Sequence, residues 1–263
     1  MKNNALSSKE ASEIYFEMQA AFGFTKHTGG LKATNELIEL CHINQGKYVL
    51  DVGCGVGRTA CYIAKKTRSR VVGVDISEGM INRSSERAKR EGVENRVEFK
   101  VADAQDLPFE NALFDAVIGE SITAFPEDKQ RAVSEYVRVT KPGGYVGFNE
   151  TTWIKTPPPE LAEYFTHLSG AKPETPDGWK QLLEGSGLQD LVARAYKISA
   201  LNQWVNEIRG LDFRDYLGAW YRFLSLLIKS PACRRFAREA LSMPKNIFSL
   251  FKYLGYGIYV GRE

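Results

Sequence analysis

The sequence lacks most features that mark membrane, secreted or metal-binding proteins. No uncharged apolar run approaches the ~20 residues that span a bilayer, and the first residues lack the apolar core of a signal peptide. The four cysteines form no C-x-x-C pair, which argues against a disulfide framework or a zinc site. There is no internal repeat, and we see no cluster of metal ligands. We therefore expect a cytoplasmic protein without a bound metal.

The net charge and the composition exclude few further classes of protein. The net charge is +3 over 263 residues, 43% of which are hydrophobic and 25% charged. These values are ordinary for a globular protein and argue neither for nor against an acidic partner. No basic and aromatic pattern typical of a single-strand groove is evident, so we expect no nucleic-acid partner. The length suits one large α/β domain, or one domain with a substantial insertion.

One stretch, residues 48–58 (Y-V-L-D-V-G-C-G-V-G-R), organises the chain. A short apolar run ends in three alternating glycines, and a helical pattern follows. This arrangement predicts a buried parallel strand that turns sharply into a helix whose N-terminus faces a ligand. A dinucleotide-binding turn has the form G-x-G-x-x-G. Here the third glycine comes one residue early and Arg58 stands where that form needs glycine, which disfavours an NAD-dependent oxidoreductase.

Further strands alternate with helices along the chain. Apolar runs predict strands at 70–75, 97–101, 114–119 and 145–149, with helices between them, which indicates an α/β sheet. Asp75 falls at the end of the second strand, where a carboxylate can accept two hydrogen bonds from ribose hydroxyls. Ile76 and Met80 would then lie beside an adenine ring. These residues predict adenosine binding without naming the cofactor.

Three motifs together resemble one family. The D-x-G-x-G-x-G run from Asp51, the A-D-A-x-x-L-P-F run at 102–109 and the K-P-G-G turn at 141–144 occur in order at suitable intervals. They are similar to those of class I S-adenosylmethionine-dependent methyltransferases, although Thr140 replaces a usual leucine. The resemblance implies a Rossmann-like, seven-stranded, mostly parallel sheet with helices on both faces and an antiparallel last strand. It implies these cofactor-binding residues: Asp51, Gly53, Cys54, Gly55, Asp75, Ile76, Met80, Asp103, Ala104 and Glu120.

The resemblance also implies in-line transfer of a sulfonium methyl group to a nucleophile. Positioning supplies most of such catalysis, and at most one general base is needed. The candidates for that base are His27, Glu120 and Glu150. Glu120 could equally orient the ammonium group of the cofactor.

Four segments are predicted. Residues 1–44 would form a helical lid, 45–198 the cofactor-binding core, 199–254 a helical cap, and 255–263 the last strand. The cap is inferred from apolar residues that recur at helical spacing where a short strand connection is usual. Tyr15, Trp153 and Trp220 are predicted to contact the acceptor.

The sequence does not identify the methyl acceptor. Residues 199–263 are aromatic and carry a net charge of +5, which fits the wall of an acceptor pocket, a homodimer interface or a surface lying on a membrane. We favour a small-molecule acceptor with an N, O or C nucleophile. The alternatives are a membrane-docked lipid or quinone methyltransferase and a non-catalytic protein that binds S-adenosylmethionine.

Overall fold

The computed structural model describes residues 10, 14, 27–198, 213–241 and 247–263. The predicted lid helix that contains Tyr15 and the first predicted helix of the cap lie outside the described residues. The strands are β1 (Tyr48–Val52), β2 (Arg70–Asp75), β3 (Val97–Val101), β4 (Phe114–Glu120), β5 (Thr140–Trp153), β6 (Gln189–Lys197) and β7 (Leu254–Arg262). The helices are α1 (Gly30–Leu40), α2 (Arg58–Thr67), α3 (Glu78–Glu91), α4 (Lys129–Val139), α5 (Pro159–Ser169), α6 (Pro176–Gly185), α7 (Phe213–Lys229) and α8 (Pro231–Leu241), followed by a 3₁₀ helix (Ile247–Lys252).

The seven strands form one sheet in the order β3-β2-β1-β4-β5-β7-β6. β1 pairs in parallel with β2 and β4, whereas β7 is antiparallel to both β5 and β6. The predicted fold class is confirmed. The order reverses at β1 and β4, so the crevice above their carboxyl ends is where an open α/β sheet binds ligands.

Both faces of the sheet are covered. α1, α2 and α3 pack on one face through residues such as Leu37, Ile63 and Ala88. α4 and α6 cover the other face through Tyr136 and Trp179. The approach of α1 depends on a glycine, since a Cβ added at Gly147 would lie 2.6 Å from the Cys41 Sγ.

The strands predicted at 70–75, 97–101 and 114–119 hold within one residue, but β5 runs from Thr140 to Trp153 and not over 145–149. It takes in the K-P-G-G motif, which was predicted as a turn and lies where the register with β4 shifts.

Helix α4 follows β4 and begins at Lys129. The Asp128 side chain accepts a hydrogen bond from the Arg131 N–H at 2.9 Å and so caps the helix. The capping oxygen fixes the start, because it satisfies a backbone donor that the helix itself leaves free.

The connection between β6 and β7 contains α7, α8 and the 3₁₀ helix. Helix α8 begins after Ser230, and the Cys233 N–H donates to Ser230 Oγ at 3.2 Å. Cys233 and Phe236 of α8 are buried in a small cluster with Leu226 and Leu227 of α7 and Leu168 of α5. The α7–α8 pair is therefore anchored on α5.

Candidate functional site

The glycine turn after β1 lies against the loop after β4. Gly53 and Gly57 both have φ near +70°, a conformation that glycine adopts without steric cost. A Cβ added at Gly53 would lie 2.4 Å from Ile122 Cγ1. The bare backbone of this turn is thus required both for its shape and for the close contact. The Cys54 thiol is buried beside it, and burial raises the pKa of this thiol.

Asp75 ties the glycine turn to β2. Its Oδ2 accepts from the Gly55 N–H at 3.0 Å and its Oδ1 accepts from the Ser77 N–H at 2.9 Å. Burial raises the pKa of the Asp75 carboxyl, while these two N–H donors oppose that rise. A carboxylate offers about four acceptor positions, so both oxygens keep capacity for a ligand hydroxyl.

An apolar edge lies next to Asp75. Ile76 is 72% exposed, which is unusual for an isoleucine directly after a buried strand, and Met80 is buried one turn into α3. Asp103 is exposed on the neighbouring loop and accepts from the Gln105 N–H at 2.9 Å, with Ala104 between them. The Ala102 N–H donates to the Asp75 carbonyl at 3.1 Å and holds this loop beside β2. An exposed aliphatic face beside polar acceptors suits a planar base.

Two acids meet at the ends of β1 and β4. Asp51 is 1% exposed, and its Oδ2 is buried without a hydrogen-bond partner in the described part of the chain. Burial raises the pKa of the Asp51 carboxyl well above its usual range, and the Glu120 and Asp75 carboxylates raise it further. A buried acid of this kind is costly unless a cation or a donor satisfies it. The unpartnered oxygen therefore fits the ammonium group of an amino-acid ligand.

Side chains that the sequence analysis missed hold Glu120 in place. The Thr59 hydroxyl donates to Glu120 Oε2 at 2.7 Å, and the Thr34 hydroxyl lies 3.0 Å from Oε1. His27 Nε2 lies 3.0 Å from that threonine oxygen and 3.7 Å from Glu120 Oε1. Thr34 is 86 positions from Glu120, so no local pattern could have indicated the contact. Thr59 could have been suspected, because it is a hydroxyl in the first turn after the glycine turn.

Glu150 organises the loop that follows β4. Its Oε1 accepts from the N–H groups of Ile122 and Thr123 at 2.7 and 2.5 Å. Burial raises its pKa to about 8, although these N–H donors oppose that rise. Ser121, at the start of the loop, has φ +57°, a strained value for a residue with a side chain. These contacts show that Glu150 holds the loop after β4, and its predicted role as a base stays a prediction.

The pH dependence of stability tests this position of Glu150. A folded pKa of about 8, against an ordinary glutamate value of 4.5, means that the folded protein keeps a proton that the unfolded chain releases. The contribution to the free energy of unfolding therefore falls as pH rises between those values, by at most about 1.4 kcal/mol per pH unit. Glu150→Gln should flatten this slope in denaturant titrations from pH 5 to 8. The exposed Glu110→Gln should not, and equal slopes in Glu150→Gln and the parent would contradict the assignment.

The segment before α1 closes on the same edge. The Thr28 N–H donates to Ser121 Oγ at 3.3 Å, and Asn149 Nδ2 donates to the Thr28 carbonyl at 2.6 Å. Thr28 Oγ1 and Asn149 Oδ1 are buried without partners among the described residues. The same holds for Asp51 Oδ2.

The three residues predicted to contact an acceptor have different surroundings. Trp153 packs edge-to-face on Phe165, with ring centroids 5.6 Å apart, in a cluster with Leu161 and Leu254. Trp220 lies on α7, 40% exposed, edge-to-face with Phe223 at 5.8 Å. Tyr15 lies outside the described residues. These contacts explain Trp153 by packing, and its predicted contact with an acceptor stays a prediction.

The described residues can be considered for metal binding and for membrane-spanning helices. Within residues 27–198, 213–241 and 247–263, no group of three or more His, Cys, Asp or Glu side chains could hold a metal ion. None of the helices in these ranges combines the length and the apolar character that crossing a membrane needs.

Comparisons with known proteins agree with the geometry. Residues 49–144 match a family described as a methyltransferase domain. An uncharacterized protein of Haemophilus influenzae is 32% identical over 184 residues, which cover 68% of this chain and 73% of that protein. Phosphoethanolamine N-methyltransferase 1 of Arabidopsis thaliana is 33% identical over 227 residues, which cover 81% of this chain and 45% of the plant protein. The chain thus spans less than half the length of this plant relative.

A solved structure gives the same fold. Phosphoethanolamine N-methyltransferase 2 of Haemonchus contortus, in complex with phosphomonomethylethanolamine and S-adenosylhomocysteine, has a TM-score of 0.70 at 18% identity. The match covers 96% of this chain and 57% of that chain.

Proposed function

Because this chain belongs to the class I S-adenosylmethionine-dependent methyltransferases, we propose that it methylates a small-molecule acceptor beside the Asp51–Glu120 pair. The observation that carries the proposal is the buried, unpartnered Asp51 oxygen next to the glycine turn. The cationic ammonium group of an amino-acid cofactor would favour the charged form of this carboxyl, which burial and the nearby Glu120 and Asp75 carboxylates otherwise disfavour.

The cofactor fits the residues of this edge. Asp75 would accept from the ribose hydroxyls, Ile76 and Met80 would contact the adenine ring, and Asp103 with the Ala104 N–H would recognise its edge. Gly53, Cys54 and Gly55 would provide the bare wall for the methionine part. Glu120, with Asp51 behind it, would bind the ammonium group.

When bound, S-adenosylmethionine supplies a methyl group that is already electrophilic. The protein's own contribution is then to hold a nucleophile in line and to exclude water, and positioning alone can lower a barrier by up to ~7–11 kcal/mol. Thr34 and Thr59 fix Glu120, and Glu150 fixes the loop at residues 121–124. Of the three residues considered as bases, His27 is the one we retain, since Glu120 serves binding and Glu150 holds backbone.

The helices between β6 and β7 favour a small acceptor. Leu226 and Leu227 of α7 share one apolar cluster with Leu168 of α5, the helix that follows β5. Farther along α7, Arg222 lies near enough to α3 to influence Arg83. A helix that reaches both sides would roof the crevice, so we assign residues 199–254 as the cap and 1–44 as the lid of a core at 45–198 and 255–263. The named activity of the Arabidopsis relative also favours a small acceptor.

One feature favours a lipid or quinone acceptor as a second candidate. Tyr221, Leu224 and Ile228 lie at helical spacing on α7, and the first and last are 76% and 77% exposed. An exposed apolar stripe on a basic segment is typical of a helix that rests on a membrane surface.

A methyl-transfer screen tests the proposal. The purified protein and S-adenosylmethionine are incubated with amines, phenols, carbon acids, and quinols or phospholipids in vesicles, and products are read by mass spectrometry. We expect a methylated soluble acceptor and stoichiometric S-adenosylhomocysteine. Turnover only with vesicles would favour the second candidate. Cofactor binding without any product would instead favour a non-catalytic binding protein.

A further inference from the structure

The loop that carries Asp103 and Ala104 has little pairing of its own. Residues 102–109 follow β3, and the one isolated β-bridge within this loop joins Asp103 to Asp106. The Gln105 N–H donates to Asp103 Oδ1 at 2.9 Å, so the direction of the Asp103 carboxyl depends on where Gln105 lies. The loop therefore needs support from another element to keep this carboxyl in one position.

Helix α4 supplies that support from one polar stripe. Arg131, Glu135 and Arg138 recur on α4 at the spacing that places side chains on one face of a helix. Arg131 Nε donates to the Gln105 carbonyl at 2.9 Å. The N–H of Asp128, the N-cap residue of α4, donates to Gln105 Oε1 at 3.1 Å. Gln105 is thus held through both its backbone and its side chain.

Glu135 and Arg138 hold the second half of the loop. The Leu107 N–H donates to Glu135 Oε2 at 2.8 Å. Arg138 Nη2 donates to the Leu107 carbonyl at 2.9 Å, and its Nη1 donates to the Phe109 carbonyl at 2.7 Å. Arg138 Nε also donates to Glu135 Oε1 at 2.6 Å, and its hydrogen bonds to this carboxylate lower the pKa of Glu135. One planar guanidinium therefore fixes two loop carbonyls and one carboxylate, which a lysine cannot do.

This stripe is separate from the face through which α4 packs on the sheet. Val133 and Tyr136 are fully buried in the core, whereas Arg131 is exposed, and Glu135 and Arg138 are half-buried. Ion pairs and hydrogen bonds at such exposed positions contribute little to the stability of a fold. A set of them that converges on the backbone of one short loop fits the shaping of a binding surface better.

We propose that Arg131, Glu135 and Arg138 are positioning residues that make the cofactor site selective for adenine. The inference rests on the proposed function, since it concerns the loop assigned there to the adenine edge. A fixed Asp103 carboxylate accepts from the 6-amine of adenine but repels the 6-carbonyl of hypoxanthine. If the loop were not held before binding, the carboxylate could turn away from that carbonyl, and ordering the loop would cost part of the affinity for adenine.

The test compares two ligands and needs no acceptor. S-adenosylhomocysteine and S-inosylhomocysteine, which carries hypoxanthine in place of adenine, are titrated calorimetrically into the parent and each variant. The parent should bind the adenine ligand about tenfold or more tightly, because hypoxanthine leaves a carboxylate facing an oxygen. Arg131→Met and Arg138→Met should each lower this affinity ratio about threefold or more, because the loop is then ordered only on binding. Arg138→Lys should not restore the ratio.

Two further variants make the comparison specific. Asp103→Ala should lower the ratio most, and adding Arg138→Met to it should lower the ratio no further, because both changes act on the same contact. The matched control is Arg96→Met. Arg96 also donates to a loop carbonyl, that of Arg68 at 3.1 Å, but it lies at the start of β3, at the opposite edge of the sheet. This variant should keep the parental ratio.

The affinity ratio separates positioning from a general loss of structure, because a folded but destabilised protein should lose affinity for both ligands alike. Thermal unfolding is measured beside each titration, and the exposed Arg131 provides a second variant if Arg138→Met does not fold. With an acceptor found in the screen, Arg131→Met should raise the KM for S-adenosylmethionine and leave kcat within about twofold of the parent.

The outcomes also distinguish this inference from the proposed function. A parental ratio in Arg131→Met and Arg138→Met, with a lowered ratio in Asp103→Ala, would overturn the positioning role alone. An equal loss in Arg96→Met would overturn it as well. A parental ratio in Asp103→Ala would remove the adenine assignment of the loop, and the inference with it. A parent protein that binds neither ligand would contradict the proposed function itself.

Discussion

Replacing Asp75 with alanine should weaken the binding of S-adenosylmethionine by more than tenfold while the protein remains folded. The variant would lose the two contacts that the Asp75 carboxylate makes to ribose hydroxyls, each of them a hydrogen bond to a charged acceptor. The structure adds a second reason, since Asp75 also accepts from the Gly55 and Ser77 N–H groups and so shapes the glycine turn. The measurement is calorimetric titration of parent and variant with S-adenosylmethionine, with thermal unfolding of both proteins beside it.

A ligand lacking the ribose hydroxyls separates these two contributions. If Asp75 binds ribose, the variant and the parent should differ much less for a 2′,3′-dideoxy analogue of S-adenosylhomocysteine than for S-adenosylhomocysteine itself. The control variant is Glu98→Ala, on the exposed part of the neighbouring strand β3, where Glu98 forms an ion pair with Lys100 at 3.0 Å. An Asp75→Ala protein that is folded and binds S-adenosylmethionine as the parent does would remove the ribose assignment.

The order of elements was predictable because each is encoded locally. The run at 48–52 is apolar apart from Asp51, as is typical of a strand buried on both faces, and the glycines that follow allow the positive φ of a sharp turn. Ser77 is of a residue type that favours helix N-caps, and the Met80 N–H does donate to its Oγ at 3.3 Å. Acids at strand ends were predictable for the same reason, since parallel strands bring their carboxyl ends to one edge.

The supporting contacts were not predictable, because tertiary packing creates them. Thr34 reaches Glu120 only after α1 has packed on the sheet, because the two residues are 86 positions apart in the sequence. The contacts of Glu150 were not predictable either. It follows the strand predicted at 145–149 but lies inside β5, and its carboxyl accepts from the backbone of the loop after β4.

Removing the cap should abolish methyl transfer and leave cofactor affinity within about threefold of the parent. The assigned cofactor contacts come from the edge formed by β1, β2 and β4, whereas α7 and α8 pack on α5. Without the cap, water reaches the crevice and the acceptor site loses one wall. The nucleophile is then no longer held in line with the methyl group, and the rate enhancement that comes from positioning is lost. The measurements are S-adenosylmethionine affinity by calorimetry and turnover with the acceptor found in the screen.

The structure indicates which residues the deletion should remove. Ile198 and Ile247 belong to the same apolar cluster around Leu250 and Leu254, so a short Gly-Ser linker can replace residues 199–246 and keep the 3₁₀ helix. This deletion spares the pairing of Lys197 with Gly255 that starts the last hairpin. A full-length protein with Phe236→Ser, which disturbs the cap core without shortening the chain, is the matched variant and should lose part of the turnover. A deletion protein that binds cofactor and still turns over at the parental rate would show that the helices between β6 and β7 do not wall the acceptor site.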